Sequence, residues 1–285
     1  MKNIPLRYIN ASSKEPKFSE SFSIRDVRDL LAGKDMIQEL HRHDFFYILA
    51  LKKGAGNHEI DFTTHKVCNN SVFFMRPGQV HQLVLKAGST GYLVGFKADF
   101  YYPGDKPSNQ LLRKAGNLNF YQLDANRFKK LLSILRYIFQ EYTDKQENHQ
   151  EVIKANLGIF FIELVRQNST SSTDHVKSYT QERLEEFLEL LDTRISKHKQ
   201  VSEYANRLNL SIHQLNAITK TTLGKTCSEL INEHIILEAR RQLLATSGQV
   251  KEIAWDLGYE DVSYFIRFFK KHTGYSPDAF RHNFR

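Results

Sequence analysis

Three histidines hold most of the reactive chemistry that this sequence offers. His41 and His43 stand either side of Arg42, and His81 closes the run Pro77-Gly78-Gln79-Val80-His81. In an extended strand successive side chains alternate between faces, so His41, His43, Phe45, Tyr47 and Leu49 are expected on one face. Imidazoles gathered in this way serve one of two ends. They ligate a divalent ion that keeps an open position, as a metal oxygenase or isomerase requires, or they line a pocket as neutral hydrogen-bonding groups beside Tyr47 and its Phe neighbours. The rest of the chain carries no phosphate-cradling GxxxxGK[ST], no GxSxG elbow and no HExxH. Cys68 and Cys227 lie far apart and outside any CxxC pair, which supports neither a disulfide framework nor a cysteine zinc site.

A second constellation is an internal repeat with a period of about 50 residues near the C-terminus. Ala205 matches Ala254, Asn209 matches Gly258, Leu215 matches Phe265, Lys220 matches Lys270 and Gly224 matches Gly274. Asn and Gly enter the left-handed conformation at little cost, which the end of a helix before a sharp turn requires. After each later glycine a hydroxyl, Thr226 or Ser276, is placed to cap a helix opening on Cys227 or Pro277. With one extra residue in the second turn, the repeat reads as two copies of helix, tight turn, helix. On the second helix of the first copy, Ile212, Leu215, Ile218 and Thr219 form an inner side, opposite His213, Ala217 and Lys220. In the second copy Val262, Phe265, Phe268 and Phe269 form the inner side, opposite Ser263, Arg267 and Lys270. A packed stripe facing away from a short polar and basic one suits a helix that lies in a major groove. A bridging helix from about Thr226 to Leu244 would let the pair enter successive grooves roughly 34 Å apart.

The elements that must position these residues are legible in the hydrophobic pattern. Between Ile37 and Lys97, short apolar runs such as Asp44 to Leu51, Ser71 to Met75 and Tyr92 to Lys97 are separated by Gly, Pro and Asn, the pattern of a small barrel or sandwich. From Leu123 to Tyr142, and again from Glu151 to Arg166, apolar residues recur at helical spacing. Residues Asn168 to Asp174 are polar and have the composition of a linker. This divides the chain into a barrel-and-helix domain at residues 1–168, where dimerisation is expected, a linker at 169–177 and a helical domain at 178–285. One of the two amphipathic helices must cover the barrel; the surplus apolar face is free to pair with a second subunit.

The net charge of +8 suits a polyanionic partner. From Ser178 onward, however, 15 Lys+Arg stand against 14 Asp+Glu, so the helical part must bind through the placement of its basic side chains rather than a net excess. The start of the chain lacks the apolar core of a signal peptide, and no run approaches the roughly 18 apolar residues of a membrane span. A cytoplasmic location is expected.

The stretch from Val201 to Phe284 closely resembles the DNA-binding domain of the AraC/XylS transcription regulators. The resemblance is most specific over Val250-Lys-Glu-Ile-Ala-Trp-Asp-Leu-Gly-Tyr259, Ser263-Tyr-Phe-Ile-Arg-Phe-Phe-Lys270 and Gly274-Tyr-Ser-Pro-Asp-Ala-Phe-Arg281. It implies recognition roles for His213, Gln214 and Asn216 in the first copy and for Val262, Ser263 and Arg267 in the second. Lys220 and Lys270, from their own places on the outer faces, are expected to meet phosphate. Many members carry Arg where this chain has Ala217, so Arg267 is expected to dominate guanine readout. The paired HxH and PGxxH runs resemble the two short motifs of the cupin barrel, the usual sensor of that family. Metal-binding cupins add a Glu shortly after HxH, where this chain reads Asp44-Phe45-Phe46-Tyr47. His41, His43, Tyr47 and His81 are therefore assigned to a ligand pocket, with no metal and no cofactor.

The expected fold is α+β: a cupin-like barrel with following amphipathic helices, then an all-α domain with two helix-turn-helix units. The expected function is that of a non-enzymatic transcription regulator whose partners are double-stranded DNA, a second copy, RNA polymerase and a small-molecule effector. The alternative is a cupin-type metalloenzyme with an accessory helical binding domain.

Overall fold

The structure, a computed structural model of the chain, describes residues 5–9, 21–101, 106–166 and 175–284. It forms two compact units, whose described parts are 5–166 and 175–284. Residues 167–174, which include most of the expected linker, lie outside the described residues.

The first unit runs β1 (Leu6–Arg7), β2 (Phe22–Asp26), α1 (Val27–Leu31), β3 (Met36–His43), β4 (Phe46–Lys53), β5 (Gly56–Ile60), β6 (Thr63–Val67) and β7 (Ser71–Met75). It continues through β8 (Val80–Leu85), β9 (Thr90–Phe96), α2 (Ala98–Tyr101), α3 (Lys106–Ala115), β10 (Phe120–Gln122), α4 (Ala125–Asp144) and α5 (His149–Arg166). The strands form two five-stranded sheets of order β1-β3-β8-β5-β6 and β10-β7-β4-β9-β2. Tyr47, Leu49 and Leu51 of β4, with Phe73 and Met75 of β7, share one core with Ile60, Leu83 and Leu85 of the first sheet. The alternate residues Ile48, Ala50, Val72 and Phe74 belong to a second core. There Phe128, Leu131, Leu135 and Ile138 of α4 and Ile153, Leu157, Phe160, Phe161 and Leu164 of α5 cover the sheet. Being covered on both faces explains why β4 and β7 read as continuous apolar runs rather than alternating ones.

The structure corrects one step of the strand reading. His41 and His43 end β3 in the first sheet, whereas Tyr47 and Leu49 lie on β4 in the second. A bend at Asp44 and Phe45 separates the two strands. The histidines and Tyr47 thus reach the same interior from opposing sheets and do not share one strand face.

The second unit is helical: α6 (His175–Arg194), α7 (Val201–Arg207), α8 (Ile212–Leu223), α9 (Cys227–Ala245), α10 (Val250–Asp256), α11 (Val262–Thr273) and α12 (Pro277–Phe284). The helices start where local side chains satisfy their orphan amides. Glu203 and Glu252 reach back to the backbone N–H groups of Gln200 and Gln249, at 2.9 and 2.7 Å. Thr226 and Glu229 form a reciprocal capping box at α9, and Ser276 Oγ accepts from Ala279 N at 3.2 Å ahead of α12. Among the helices of this unit, α9 touches each of the other six. Its 19 residues span about 28 Å at roughly 1.5 Å per residue.

Candidate functional site

In the barrel, β3 and β8 run antiparallel with His41 directly opposite His81, and their ring centroids are 4.1 Å apart. The carbonyl of His43 accepts from Gly78 N at 2.9 Å, which ties the Pro77-Gly78 turn to the end of β3 and sets His81 beside the HxH pair. A fourth imidazole joins them. His58 on β5 faces inward because it lies two residues from the buried Ile60, and its Nε2 is 2.8 Å from His81 Nδ1. The other nitrogen of that ring, His81 Nε2, is 2.9 Å from His43 Nε2. His41 Nδ1 donates to the carbonyl oxygen of Glu39 at 2.7 Å. Sequence reading missed His58; its signal was the short run Asn57-His58-Glu59-Ile60, whose alternation pairs the imidazole with an apolar neighbour.

All four imidazoles are buried, and loss of hydration is the leading cause of their depressed basicity. It holds His41 at about 4 and His43 and His58 at about 3, with His81 well below 6.5. Burial raises the Tyr47 hydroxyl above its ordinary range. The cluster is therefore neutral at physiological pH. His41 Nε2, His58 Nδ1 and the Tyr47 hydroxyl are buried with no hydrogen-bond partner among the described residues. A cavity of about 330 Å³ reaches His43 and Tyr47 and is bordered also by Arg7, Arg25, Gln38 and Leu93.

The helical unit presents the second candidate site. In both repeats the turn has the same hydrogen bonding: Leu210 N donates to Ala205 O at 2.9 Å, and Tyr259 N donates to Ala254 O at 2.8 Å. Asn209 and Gly258 take the left-handed conformation, with φ of 53° and 74°. Gly224 and Gly274 do so again at the ends of α8 and α11. Ser211 Oγ caps α8 by accepting from Gln214 N, and Asp261 Oδ1 caps α11 by accepting from Ser263 N and Tyr264 N.

Leu215, Ile218 and Thr219 are buried beneath α8, and Phe265 and Phe269 beneath α11. Ile212 does not join the inner side: it sits at the first helical position, beyond the reach of the packing layer, and is 49 % exposed. Val262 and Phe268 are half-buried. His213, Gln214 and Lys220 face solvent on α8, as do Ser263, Arg267 and Lys270 on α11. Gln214 Oε1 accepts from Ser211 N at 2.8 Å, which holds that side chain at the helix start. Asn216 is half-buried and its Oδ1 accepts from Cys227 N at 3.0 Å, leaving its Nδ2 as the atom not engaged by α9. Arg267 is 3.8 Å from Asp261, and both side chains are exposed. The structure adds Tyr264, exposed beside Ser263, and Lys271, which follows Lys270 in the last turn of α11.

Two exposed polar faces, carried in one register on helices of equal length and braced by one central helix, define a protein built to read a duplex. A family model described as an AraC-like ligand binding domain matches residues 34–150, and one described as a helix-turn-helix domain matches residues 204–283. The chain belongs to the AraC family of DNA-binding transcription regulators. It is similar to the HTH-type transcriptional activator RhaS of Pectobacterium carotovorum, with 24 % identity over 85 % of this chain and 87 % of the relative. It is likewise similar to the HTH-type transcriptional activator RhaR of Mannheimia succiniciproducens, with 24 % identity over 86 % of this chain and 87 % of the relative. Among solved structures, unsaturated fatty acid-bound ToxT from Vibrio cholerae aligns at a TM-score of 0.43 with 18 % identity, over 92 % of this chain and 95 % of that one. No helix among the described residues is long and apolar enough to cross a membrane.

Proposed function

We propose that this regulator reads its operator with α8 and α11 and answers to a small molecule held in the barrel. The observation that carries the reading is the shared register of the two outer faces, with Lys220 and Lys270 at matching places four residues before the C-cap glycines. Arg267 supplies the bidentate grip on guanine, with Ser263 and Val262 beside it. His213, Gln214 and the free amide of Asn216 contact base edges from α8, and Lys220 and Lys270 meet phosphate. The double-stranded DNA partner then spans two successive major grooves.

The effector occupies the cavity beside His43 and Tyr47, with His41 and His81 behind them. At about 330 Å³ that cavity lies at the small end of the range for small-molecule sites, roughly 300–1,000 Å³. The protein acts without catalysis in the cytoplasm, as a homodimer joined through α4 and α5 that engages RNA polymerase, with the sensing domain at 1–168, the linker at 169–177 and the reading domain at 178–285. Genome-wide mapping of bound DNA, followed by salt-dependent binding to the recovered sites, tests this. Recovery of a discrete sequence bound with a steep salt dependence supports it, and retention on DNA of any sequence with equal affinity refutes operator reading.

A further inference from the structure

We propose that the barrel binds one divalent first-row transition-metal ion through Nε2 of His41, His43 and His81, with His58 as the residue that orients His81. From sequence alone the missing carboxylate after His43 argues against an ion. Four features of the tertiary structure argue for one.

First, His41 is prepared as a ligand. Its Nδ1 sits 2.7 Å from the Glu39 carbonyl oxygen, which only accepts, so the proton is on Nδ1 and Nε2 is a bare lone pair. Second, that lone pair is fully buried with no partner among the described residues, a costly state for a polar atom. Third, the ligand atoms of His41, His43 and His81 all lie within 4.8 Å of one another, and the Nε2 atoms of His43 and His81 are 2.9 Å apart. An ion with tetrahedral bonds of about 2.0–2.1 Å separates its nitrogen ligands by roughly 3.3 Å, a spacing these distances bracket.

The fourth feature is His58. With His81 Nε2 on the ion, the His81 proton must sit on Nδ1, and His58 Nε2 at 2.8 Å is in place to accept it. A bond of this kind fixes both the ring and the tautomer of a metal-bound imidazole. Three neutral imidazoles select Zn²⁺, Ni²⁺ or Co²⁺ over the oxygen-seeking Mg²⁺ and Ca²⁺. The fourth position is left to water or to a donor atom of a molecule in the adjoining cavity, which His43 and Tyr47 border.

The test uses the full-length protein, stripped with a chelator and titrated with Co²⁺ or Zn²⁺ in the absence of DNA, so its outcome is independent of operator reading. The expected result is one ion per chain, intense visible Co²⁺ bands of low coordination number and a raised melting temperature. His41→Gln and His81→Gln should each abolish stoichiometric binding. His58→Gln should weaken it by about 10- to 100-fold and shift the Co²⁺ spectrum, while His213→Gln on the DNA-reading unit should leave it unchanged. Circular dichroism identifies variants that stay folded. Stripped wild-type protein that takes up no stoichiometric Co²⁺ or Zn²⁺ at micromolar concentration overturns the proposal without recourse to any variant. So does a folded His41→Gln or His81→Gln chain that binds as tightly as wild type.

Discussion

The ammonium group of Lys199, in the segment ahead of the first helix-turn-helix unit, donates to the carbonyl oxygen of Gly258 in the turn of the second at 2.8 Å. The same ammonium reaches Ser196 O at 3.3 Å and lies 4.9 Å from the ring centroid of Tyr259. Partial burial lowers its basicity, an effect opposed by Glu203. Two turns that look equivalent in sequence are thus in different surroundings. Asn209 is free to bear a side chain, whereas a Cβ at Gly258 would stand 1.8 Å from the Ser196 carbonyl oxygen.

Gly258→Ala should therefore destabilise the helical unit by about 2 kcal/mol or more, combining left-handed strain with a backbone clash. Asn209→Gly should change stability by less than about 1 kcal/mol, because its φ of 53° is one glycine adopts freely. Trp255, the chain's only tryptophan, lies on α10 of the same unit, so urea unfolding followed by its fluorescence measures both.

Arg267 and Lys270 should fail differently when removed. Arg267→Ala is expected to cost roughly 1–3 kcal/mol on the preferred operator and much less on scrambled DNA. Lys270→Ala should weaken both about equally and lower the slope of log K against log salt by about one unit. If Arg267 instead serves only its 3.8 Å pairing with Asp261, its loss will leave the specificity ratio intact. Binding isotherms at several salt concentrations on the two DNAs separate these outcomes.

Association should depend on the outward residues of α4 and α5. Tyr137, Ile159 and Ile162 are between 40 % and 49 % exposed although α5 already buries five large side chains in the first unit. Paired Ile159→Asp and Ile162→Asp changes should turn a dimer into a monomer with the fold unaltered. Sedimentation velocity at micromolar concentration gives the answer; wild type that is already monomeric there removes this face as an interface.

A fragment that keeps all of α6 should fold and bind DNA alone, more weakly for want of dimer avidity. Leu184, Phe187 and Leu191 of α6 are buried, and Phe187 packs edge-on to Tyr204 of α7 at 5.5 Å. Truncation past Leu191 should instead unfold the unit, which circular dichroism would reveal.

Acid should destabilise the chelator-stripped barrel in a defined window. Folded His41 titrates at about 4 and His43 and His58 at about 3, but each takes a proton near 6.5 once unfolded. Between about pH 4 and 6.5 the unfolded chain binds more protons, so stability rises with pH there and falls on acidification. Each histidine contributes up to roughly 1.4 kcal/mol per pH unit. His58→Phe should lessen the dependence by about one proton, read from amide exchange of the barrel strands across that range.

Much of the helical unit was legible in the sequence because its determinants are local. Gly274, Ser276 and Pro277 impose a helix stop and a new start whatever surrounds them. The spacing of Leu215, Thr219, Phe265 and Phe269 likewise declares which side of α8 and α11 is packed. Ile212 escaped that logic because a periodic pattern cannot say where the packing layer ends. Asn216 escaped it because its bond to Cys227 N joins two helices across a turn.

In the barrel the sequence by itself determined that His41, His43 and His81 are extended-chain residues beside apolar neighbours, since alternation is a property of the strand alone. Only the tertiary structure decided which of them meet. That depends on β3 pairing with β8 and β8 with β5, contacts between residues far apart in the chain that no local pattern encodes. The same pairing brought in His58, which stands in no motif. It also settled the proton on His41 through the Glu39 carbonyl, because tautomers are set by the partner that folding supplies.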